Sequence, residues 1–285
     1  MTNVKIIKRG DVEYPRSLLA LKNPPEQLYA KGNLQLLTRP MVSIVGTRDC
    51  TRYGLTVAKE LSEQCAAAGI CVVSGLAEGI DAAAHRGAIN NTIAVLGNGL
   101  DCYYPIINRE LQDEIAEHGL LLSEYPLGHH GDKTTFPQRN RIVAALGRAV
   151  VAVEADKHSG TLITVRAAQA LAKQIFAVPG NINCYASQGT NDLIAKGVAK
   201  VMTSPADVLA CFGAVGNDAA EQQVRQVTFE QKNILDILKT DEVHIDDLII
   251  ASGMTVPQLS TLLTNMEMIG LIEKLPGNFY VAKLP

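Results

Sequence analysis

The sequence predicts an α/β fold in which a mostly parallel sheet carries helices on both faces, followed by a small winged-helix domain at the C-terminus. Through the middle of the chain, short and nearly continuous apolar runs alternate with amphipathic stretches of helical period. Strands buried on both faces have this composition, and their alternation with helices indicates parallel strands joined by helical crossovers. Residues 227–285 depart from the alternation and hold three helical patterns and a hairpin signal.

Length and composition are typical of a soluble protein of two domains. The chain has 285 residues, of which 47% are hydrophobic, so it can bury a large core. Its six cysteines form no CxxC pair and have no histidine at ligand spacing, which favours reduced thiols and no metal site. The N-terminus lacks the apolar core of a signal peptide, and no apolar run reaches the roughly 18 residues of a membrane span. We therefore expect a cytoplasmic protein with no membrane contact and no cofactor.

The first elements are predicted in chain order. Residues 1–40 form a lead-in that packs on the core and contains a strand candidate in the LYAKGN segment. Residues 41–212 form the α/β domain, and between its first two strands apolar residues recur at helical spacing from Leu55 to Ala68. The six predicted strands of this domain are Val42–Val45, Ile70–Ser74, Thr92–Leu96, Leu120–Ser123, Ala149–Val153 and Gln174–Val178.

The C-terminal part of the chain begins with small and polar residues. For this reason residues 213–226, GAVGNDAAEQQVRQ, are predicted to be a linker. In residues 227–285 the second helical pattern ends at Ser252 and Gly253, and a hairpin is centred on the sequence Pro-Gly-Asn at 276–278. Helices followed by a β-hairpin in this order indicate a winged helix.

Four loops that follow predicted strands have the composition of a phosphate-binding site. In a doubly wound parallel sheet, ligands bind outside the carboxyl ends of the strands. Glycines there allow close backbone approach, and helix N-termini offer unpaired N–H groups to an anion. The loops are Gly46–Arg48, Gly75–Asp81, Gly97–Asp101 and Ser159–Thr161. We expect phosphate binding at this edge; ordinary turn geometry is the alternative, since glycines occur in the turns of every α/β fold.

The details of these loops argue against several enzyme classes. The GNGLDC segment has Cys102 where a dinucleotide-binding loop needs its third glycine, and no P-loop sequence occurs. Ser74, Asp81 and His85 suggest a hydrolase, but Ser74 lacks the GxSxG elbow. Asp81 and His85 lie one helical turn apart and are expected to cap or pair locally. Glu154 is expected to bond to loop N–H groups instead of acting as an acid or base.

Positive charge is concentrated in one part of the chain. The net charge is −3, but residues 205–285 hold 5 Lys and Arg against 11 Asp and Glu, which leaves residues 1–204 with a balance of +3. Residues 133–148, KTTFPQRNRIVAALGR, have four basic residues, no acidic residue and an aromatic ring at Phe136. Cations beside an exposed ring suit a protein that holds a phosphate backbone and stacks a base. The alternative is that Phe136 is a core residue and the arginines cap a helix.

An ordered set of motifs covering nearly the whole chain resembles the DprA/Smf family of bacterial DNA-processing proteins. The motifs are YPRSLLALKNPPEQLYAKGN, VGTRDCTRYG, SGLAEGIDAAAH, GNGLDCYYP, FPQRNRIVA, EADKHSGTLIT and FAVPG, in the order and spacing of the family. The acidic winged helix is similar to the C-terminal domain that many members carry. The resemblance implies an extended Rossmann-like domain that binds single-stranded DNA and loads the RecA recombinase on it during natural transformation. It also implies homodimers, and no catalytic reaction is established for the family.

The same resemblance implies a set of DNA-binding residues. Carried over position by position, they are Gly46, Thr47, Arg48, Lys133, Phe136, Arg139, Arg141 and Lys173. The family usually has Gly-Arg before the FAVPG strand, where this chain has Ala172 and Lys173, and lysine lacks the bidentate fork of arginine. Thr47 in place of serine is a mild change. Each neutralised phosphate of a single strand contributes about −0.7 to the slope of log affinity against log salt concentration. If about four phosphates are neutralised, the expected slope is about −3.

A dimer interface is expected in the segment Gly189–Leu209, which has the pattern of a short helix, a short strand and the start of another helix. Leu193, Ile194 and Val198 can form an apolar edge at helical spacing. Ordinary packing of these residues on the sheet explains the pattern equally well, and only the family resemblance favours the homodimer.

Two other function classes fit the sequence less well. The fold is similar to nucleotide hydrolases such as the cytokinin-activating phosphoribohydrolases, whose loop reads Pro-Gly-Gly-x-Gly-Thr-x-x-Glu. The corresponding stretch here, Lys157–Thr164, lacks the double glycine and the closing glutamate, which removes the base of that reaction. A regulator that reads DNA sequence is disfavoured because the predicted recognition helix, VPQLSTLLTNMEMIG, has no Lys or Arg. No catalytic residue is therefore predicted.

Overall fold

The computed structural model describes residues 4–213, 228–238, 242–268 and 271–282. The chain divides into two units, residues 1–215 and 216–285. The first unit contains both the predicted lead-in and the predicted α/β domain. The predicted linker lies outside the described residues except for Gly213, which follows a short 3-10 turn in the left-handed conformation with a φ of 70°.

A nine-stranded sheet forms the centre of the first unit. Its strands are β1 (Lys5–Lys8), β2 (Gln27–Gly32), β3 (Met41–Val45), β4 (Cys71–Ser74), β5 (Thr92–Leu96), β6 (Leu120–Ser123), β7 (Ala149–Ala152), β8 (Gln174–Ala177) and β9 (Lys200–Val201). The spatial order is β1-β2-β6-β5-β4-β3-β7-β8-β9. The strands from β6 to β9 in this order are parallel, whereas β1 with β2 and β2 with β6 pair antiparallel. All six predicted strands are present, and none of their ends is displaced by more than one residue.

The lead-in does more than pack on the core, because two of its segments extend the sheet. Residues 29–32 of β2 pair with residues 120–123 of β6, and β1 then pairs with β2. Leu18 and Leu36, from 3-10 turns of the lead-in, are fully buried in the same core as Ile142. Strand β6 is therefore covered on its outer side, where a bare edge would be open to pairing with another chain.

Helices cover both faces of the sheet, as the sequence predicts. They are α1 (Arg52–Ala67), α2 (Ile80–Gly87), α3 (Arg109–His118), α4 (Thr135–Leu146), α5 (Thr161–Ala170), α6 (Gln188–Ala195) and α7 (Pro205–Leu209). Along β4, Cys71 and Val73 join the core beneath α4 and α5, whereas Val72 joins the core beneath α1 and α2. Burial on both faces explains the continuous apolar runs of these strands. No helix in the described ranges is long and apolar enough to cross a bilayer.

The strand order reverses at β3, and this reversal positions the candidate site. From β3 the chain adds β4, β5 and β6 on one side and then returns to the other side of β3 for β7, β8 and β9. In doubly wound sheets, the crevice at such a point, outside the carboxyl ends of the strands, is the usual ligand site. The four predicted loops follow β3, β4, β5 and β7, so the fold brings all of them to one edge of the sheet.

The second unit is a winged helix. Its elements are α8 (Phe229–Ile237), β10 (Val243–His244), α9 (Ile245–Ser252), α10 (Val256–Met268), β11 (Ile272–Leu275) and β12 (Phe279–Ala282), and its sheet has the order β10-β12-β11. Gly253, with a φ of 66°, ends α9 at the predicted position. Gly277 and Asn278 also have positive φ and form the predicted turn of the hairpin. Leu248, Leu263 and Tyr280 are buried in the separate core of this unit.

Candidate nucleic-acid interface

A cleft of about 380 Å³ opens at the carboxyl edge of the sheet, outside the ends of β3, β4 and β7. The residues that line it include Gly46, Thr47 and Arg48 after β3, Gly75 and Ala77 after β4, Phe136 and Arg139 of α4, and Ser159, Gly160 and Thr161 after β7. Pockets of roughly 300–1,000 Å³ hold drug-sized ligands, which are comparable with a nucleotide. Three of the four predicted loops therefore meet around a space large enough for part of a DNA strand.

The loop after β3 is fixed from two sides. The Thr47 N–H donates to the Glu154 carbonyl (2.8 Å), and the Thr47 carbonyl accepts from the Ile80 N–H (3.4 Å). Gly46 lies against Ile80 so closely that any Cβ at this position would overlap the isoleucine side chain. Thr47 is consequently almost buried, while the exposed Arg48 side chain extends from a fixed backbone into the cleft lining.

Glu154 bonds to a loop N–H group, as predicted from the sequence, and through this contact it stabilises the start of α1. The side chain is 1% exposed, and its carboxylate accepts from the Thr51 N–H (2.8 Å) and the Thr51 hydroxyl (2.6 Å). Thr51 in turn caps α1 by accepting from the Gly54 N–H. A carboxylate bound in this way holds the β3 loop beside β7 and has little freedom to act as an acid or base.

Arg139 lies beneath the cleft and is almost completely buried. Its side chain is 6% exposed, and Nη1 donates to the carbonyls of Gly75 (2.5 Å) and Val95. The nearby Asp81 carboxylate accepts from the N–H groups of Gly75 (3.1 Å) and Ala77 (3.4 Å). Burial raises the pKa of Asp81 while the charge of Arg139 opposes that rise, and burial lowers the pKa of Arg139 to about 10.

These contacts correct the sequence-based role of Arg139. Because Nη1 bonds to two backbone carbonyls, the guanidinium cannot offer its full fork to a phosphate. Its contribution to the cleft is a positive charge below the floor and support for the β4–α2 loop. In that loop Leu76 has a φ of 59° and a fully buried side chain, so packing holds a backbone conformation that non-glycine residues seldom adopt.

Ser74, Asp81 and His85, the residue types of a hydrolase, do not form a catalytic group. The Ser74 hydroxyl donates to the Ile44 carbonyl (2.6 Å), while Asp81 bonds locally, as expected, to the loop N–H groups. His85 does not pair with Asp81: its Nδ1 lies 2.7 Å from the Thr92 hydroxyl. Burial lowers the pKa of His85 to about 3, so the imidazole is neutral at physiological pH. Ser74 also forms a hydrogen bond that opposes the rise in the pKa of the Asp81 carboxyl, but His85 bonds to Thr92 instead, so the three side chains do not form a catalytic triad.

Phe136 forms a wall between the cleft and a small recess of about 20 Å³ beside it. The ring is half-buried and lies against Gly97 and Gly131, where a Cβ would come within 2.7 Å of the ring atoms. Tyr104 stacks on it with ring centroids 4.7 Å apart and planes inclined by 24°. Phe136 is therefore a surface wall and not a core residue. Sequence reasoning missed Tyr104, although the aromatic pair in GNGLDCYYP, directly after a glycine loop, was a usable signal.

The remaining predicted cations lie in three different places. Lys133 is exposed in the turn before α4 and makes no ion pair with another described residue. Arg141 is not among the residues that line the cleft, and it donates through Nη2 to both carboxylate oxygens of Glu124 (2.7 Å each). Lys173 precedes β8 and donates to the Ala145 carbonyl (3.0 Å), so it lies at the amino edge of the sheet. Since pockets of parallel sheets form where strands end, Lys173 is on the opposite edge from the cleft, and the expectation that it belongs to this pocket is corrected.

The cleft lining is not strongly positive. It contains Arg48 and Arg139 against Asp49, Asp81 and Asp156. The Asp156 carboxylate accepts from the His158 N–H (2.6 Å), and Asp81 is bonded as described. Of the two arginines that line the cleft, Arg48 is the exposed one. The first turn of α5, which begins at Thr161, also borders the cleft and can contribute to anion binding. The N–H groups of Thr161, Leu162 and Ile163 already donate to the Ser159 hydroxyl and to the Ser159 and Gly160 carbonyls, so it is the dipole of this helix N-terminus that favours a phosphate there.

Thr164 lies where the phosphoribohydrolase loop has its closing glutamate. The side chain is 2% exposed and borders the cleft from α5. Helix α5, TLITVRAAQA, supplies no carboxylate to the cleft. The position that carries the base in those enzymes is therefore a buried threonine here.

The residues predicted to form a dimer interface lie on α6 and just after it. Leu193, Ile194 and Val198 are partly buried against the core beneath α4 and α5. The predicted succession of helix, strand and helix start is present as α6, β9 and α7. These side chains thus pack on the sheet and also keep part of their apolar surface accessible.

Two family models match the chain. The model described as DNA recombination-mediator protein A matches residues 5–213, and the model of the DprA winged helix domain matches residues 218–278. Among characterised sequences, the chain is 45% identical over 202 residues to the DNA processing protein DprA of Streptococcus pneumoniae, covering 70% of this chain and 71% of that protein. It is 33% identical over 319 residues to the protein Smf of Synechocystis sp., covering 98% of this chain and 80% of that protein.

Two solved structures have the same fold as the α/β unit. The crystal structure of the DNA processing protein A of S. pneumoniae aligns with a TM-score of 0.70 at 43% identity, covering 73% of this chain and 74% of that chain. A structure of DNA processing protein A from Helicobacter pylori, which concerns its binding mode for single-stranded DNA, aligns with a TM-score of 0.68 at 34% identity. That alignment covers 74% of this chain and 98% of the H. pylori chain.

Proposed function

The chain belongs to the DprA/Smf family of DNA recombination-mediator proteins, and from this premise we propose that its cleft binds single-stranded DNA without strong sequence preference. The observation that carries the proposal is the meeting of Arg48, the first turn of α5 and the Phe136 ring in one cleft. Arginine and the positive end of a helix dipole attract phosphate, and an aromatic ring stacks on any base because every base has a π-face. None of these contacts reads the edge of a base.

The geometry favours a single strand over a duplex. Phe136 is half-buried and lies in the wall of the cleft. A base can reach this ring only by entering the cleft, which requires that it be unpaired and unstacked from its neighbours. The small number of exposed cations also gives little affinity for the dense charge of a duplex.

Replacing Arg48 with alanine is expected to reduce the salt dependence of binding. Loss of one phosphate contact lowers the magnitude of the slope of log affinity against log salt by about 0.7 for a single strand. Fluorescence anisotropy of a labelled oligo-dT, titrated at several salt concentrations, measures both slope and affinity. Arg141→Ala is the matched control, because Arg141 pairs with Glu124 and does not line the cleft. An unchanged slope for Arg48→Ala together with a reduced slope for Arg141→Ala would place the phosphate site elsewhere.

Family membership also supports the proposal that the protein loads RecA on the bound strand during natural transformation, in the cytoplasm. A protein that holds single strands through phosphates and stacked bases can present the same strand to a recombinase without regard to sequence. The test is the rate of RecA filament formation on single-stranded DNA coated with single-strand-binding protein. Acceleration by this protein is the expected result, and an unchanged rate contradicts the loading role.

We expect the protein to form a homodimer through α6 and the turn that follows it. The support is the partly accessible apolar surface of Leu193, Ile194 and Val198, combined with the family resemblance. Ile194→Glu places a charge in that surface and should give a folded monomer in analytical ultracentrifugation. Ile182→Glu is the control, since Ile182 is 82% exposed and lies outside this segment. A dimer that persists in Ile194→Glu, or one lost in Ile182→Glu, would move the interface.

The non-catalytic role is favoured over a nucleotide-processing hydrolase. Glu154 is bonded to Thr51, and a buried threonine replaces the glutamate that acts as the base in the phosphoribohydrolases. A sequence-reading role for the winged helix is disfavoured as well. Its helix α10 presents the exposed Glu267 and no Lys or Arg, and a negative face repels a phosphate backbone.

A further inference from the structure

We propose that Tyr104 forms a second base-binding subsite just outside the cleft, in which a nucleobase stacks on the outer face of the tyrosine ring. The inference rests on the proposed single-strand binding, because it names the place of a second base of the same strand. Tyr104 follows β5 and lies three positions beyond the predicted loop Gly97–Asp101, which is the one of the four predicted loops that does not line the cleft itself. It gives the segment after β5 a direct part in binding.

The two faces of the Tyr104 ring have different surroundings. Phe136 covers one face, with centroids 4.7 Å apart and an angle of 24° between the planes. Tyr104 nevertheless remains 45% exposed. Because one face is covered, the exposed area belongs to the opposite face and the ring edges. The structure therefore holds an aromatic face open to solvent and roughly parallel to the ring beneath it, which is the arrangement onto which a further ring can stack.

The neighbouring tyrosine shows that this exposure is not a general property of the loop. The Tyr103 hydroxyl donates to the Asp113 carboxylate (2.8 Å), and the Arg109 guanidinium lies 4.8 Å from the centre of its ring. Tyr103 is thus engaged by helix α3 through both its polar end and its ring. The Tyr104 hydroxyl makes no hydrogen bond with another described residue. Of the two adjacent aromatic rings, Tyr104 is the one that remains available to a ligand.

The subsite is continuous with the cleft. Arg48 and Phe136 line both the cleft and the recess beside it, and Tyr104 also lines the recess. A phosphate held by Arg48 therefore joins a nucleotide whose base lies against Phe136 in the cleft to a nucleotide whose base can reach Tyr104. The strand leaves the cleft on the side of the β5 loop, and the two rings separate consecutive bases.

An apolar shoulder extends the subsite beyond Tyr104. Ile106 and Ile107 are 73% and 74% exposed and follow Tyr104 by two and three positions in the chain. Exposed apolar side chains beside an open ring also suit a protein partner. A base is favoured here because the Tyr104 face continues the stack that starts at Phe136 and because Arg48 links this stack to the phosphate site.

The test compares tyrosine variants of the full-length protein on two ligands, labelled oligo-dT and an abasic strand of the same length. Tyr104→Ala should weaken binding to oligo-dT about 5-fold or more without changing the salt slope, since stacking on aromatic rings is worth at least that much per base. Tyr104→Phe should bind like the unaltered protein because the ring is retained. On the abasic strand, which keeps the phosphates and lacks bases, the unaltered protein and Tyr104→Ala should bind equally.

The outcomes separate the subsite from the proposed function. If the unaltered protein fails to bind oligo-dT, both the proposed single-strand binding and the Tyr104 subsite are contradicted. If it binds and Tyr104→Ala binds equally well, only the subsite is overturned, and the shoulder is left as a surface for a protein partner. Equal weakening on the abasic strand overturns it too, since the loss then arises from the phosphate path or the loop. Tyr104→Leu, which keeps most of the volume, should lose affinity like alanine; full affinity in this variant would show that the ring acts by packing alone.

Discussion

Replacing Arg139 with methionine is expected to lower the free energy of unfolding of the α/β unit by about 3 kcal/mol or more, because it leaves the buried Asp81 without the neighbouring positive charge that favours its ionised form. Asp81 is 6% exposed, and without Arg139 its carboxylate would have no compensating charge in the interior. The carbonyls of Gly75 and Val95 would also lose their donor. Methionine fills a similar space, so the loss reflects charge and hydrogen bonding more than a cavity.

Urea unfolding followed by far-UV circular dichroism measures this effect. Arg141→Met is the comparison, because a quarter of each side chain in its pair with Glu124 is exposed, so its loss should cost less than the loss of the almost fully buried Arg139. A second variant, Asp81→Asn combined with Arg139→Met, should recover part of the lost stability because neither charge is then left alone. If Arg139→Met retained full stability and instead lost affinity for DNA, Arg139 would be the direct phosphate contact suggested by the family resemblance.

Replacing Phe136 with alanine is expected to weaken single-strand binding by about 1–3 kcal/mol, the range measured for aromatic rings that stack on bases. The loss should be at least as large as that of Tyr104→Ala, since Phe136 lines the cleft and also supports the Tyr104 ring. The salt slope should not change, because no phosphate contact is removed. Anisotropy with oligo-dT at two salt concentrations measures both quantities.

Phe136→Leu distinguishes stacking from packing. Leucine fills most of the space between Gly97 and Gly131, so this variant should remain as stable as the unaltered protein and still lose affinity. The opposite pattern would be a Phe136→Ala protein that unfolds readily while its folded fraction binds DNA with unchanged affinity. The ring would then be a packing element of the α4 turn and not a DNA contact.

The fold was largely predictable because strands that are buried on both faces consist almost entirely of apolar residues. Strands such as Thr92–Leu96 and Leu120–Ser123 are short, nearly continuous apolar runs, and their length and their alternation with amphipathic stretches indicate strands and not buried helices. The role of the lead-in was harder to foresee. Its strand β2 pairs with β6, about ninety residues away in sequence, and no local signal specifies that pairing.

The site was predicted less completely, and the reasons differ among its residues. Arg139 shares a face of α4 with Val143 and Leu146, so its burial could have been inferred from helical spacing. Lys173 precedes a strand, which already placed it away from the carboxyl edge. The pairing of Arg141 with Glu124 and the stacking of Tyr104 on Phe136 join residues that are distant in sequence, and only the tertiary structure shows them.

Comparing single- and double-stranded oligonucleotides in a salt titration of the unaltered protein tests single-strand binding in the cleft most directly. Of the predicted cations, Arg48 in the cleft lining and Lys133 in the turn before α4 are exposed, so about two phosphate contacts replace the four expected from the sequence. At about 0.7 per contact, the expected slope of log affinity against log salt is about −1.4. The single strand should bind more tightly than the duplex at every salt concentration. A slope near zero, or tighter binding of the duplex, would contradict the proposal.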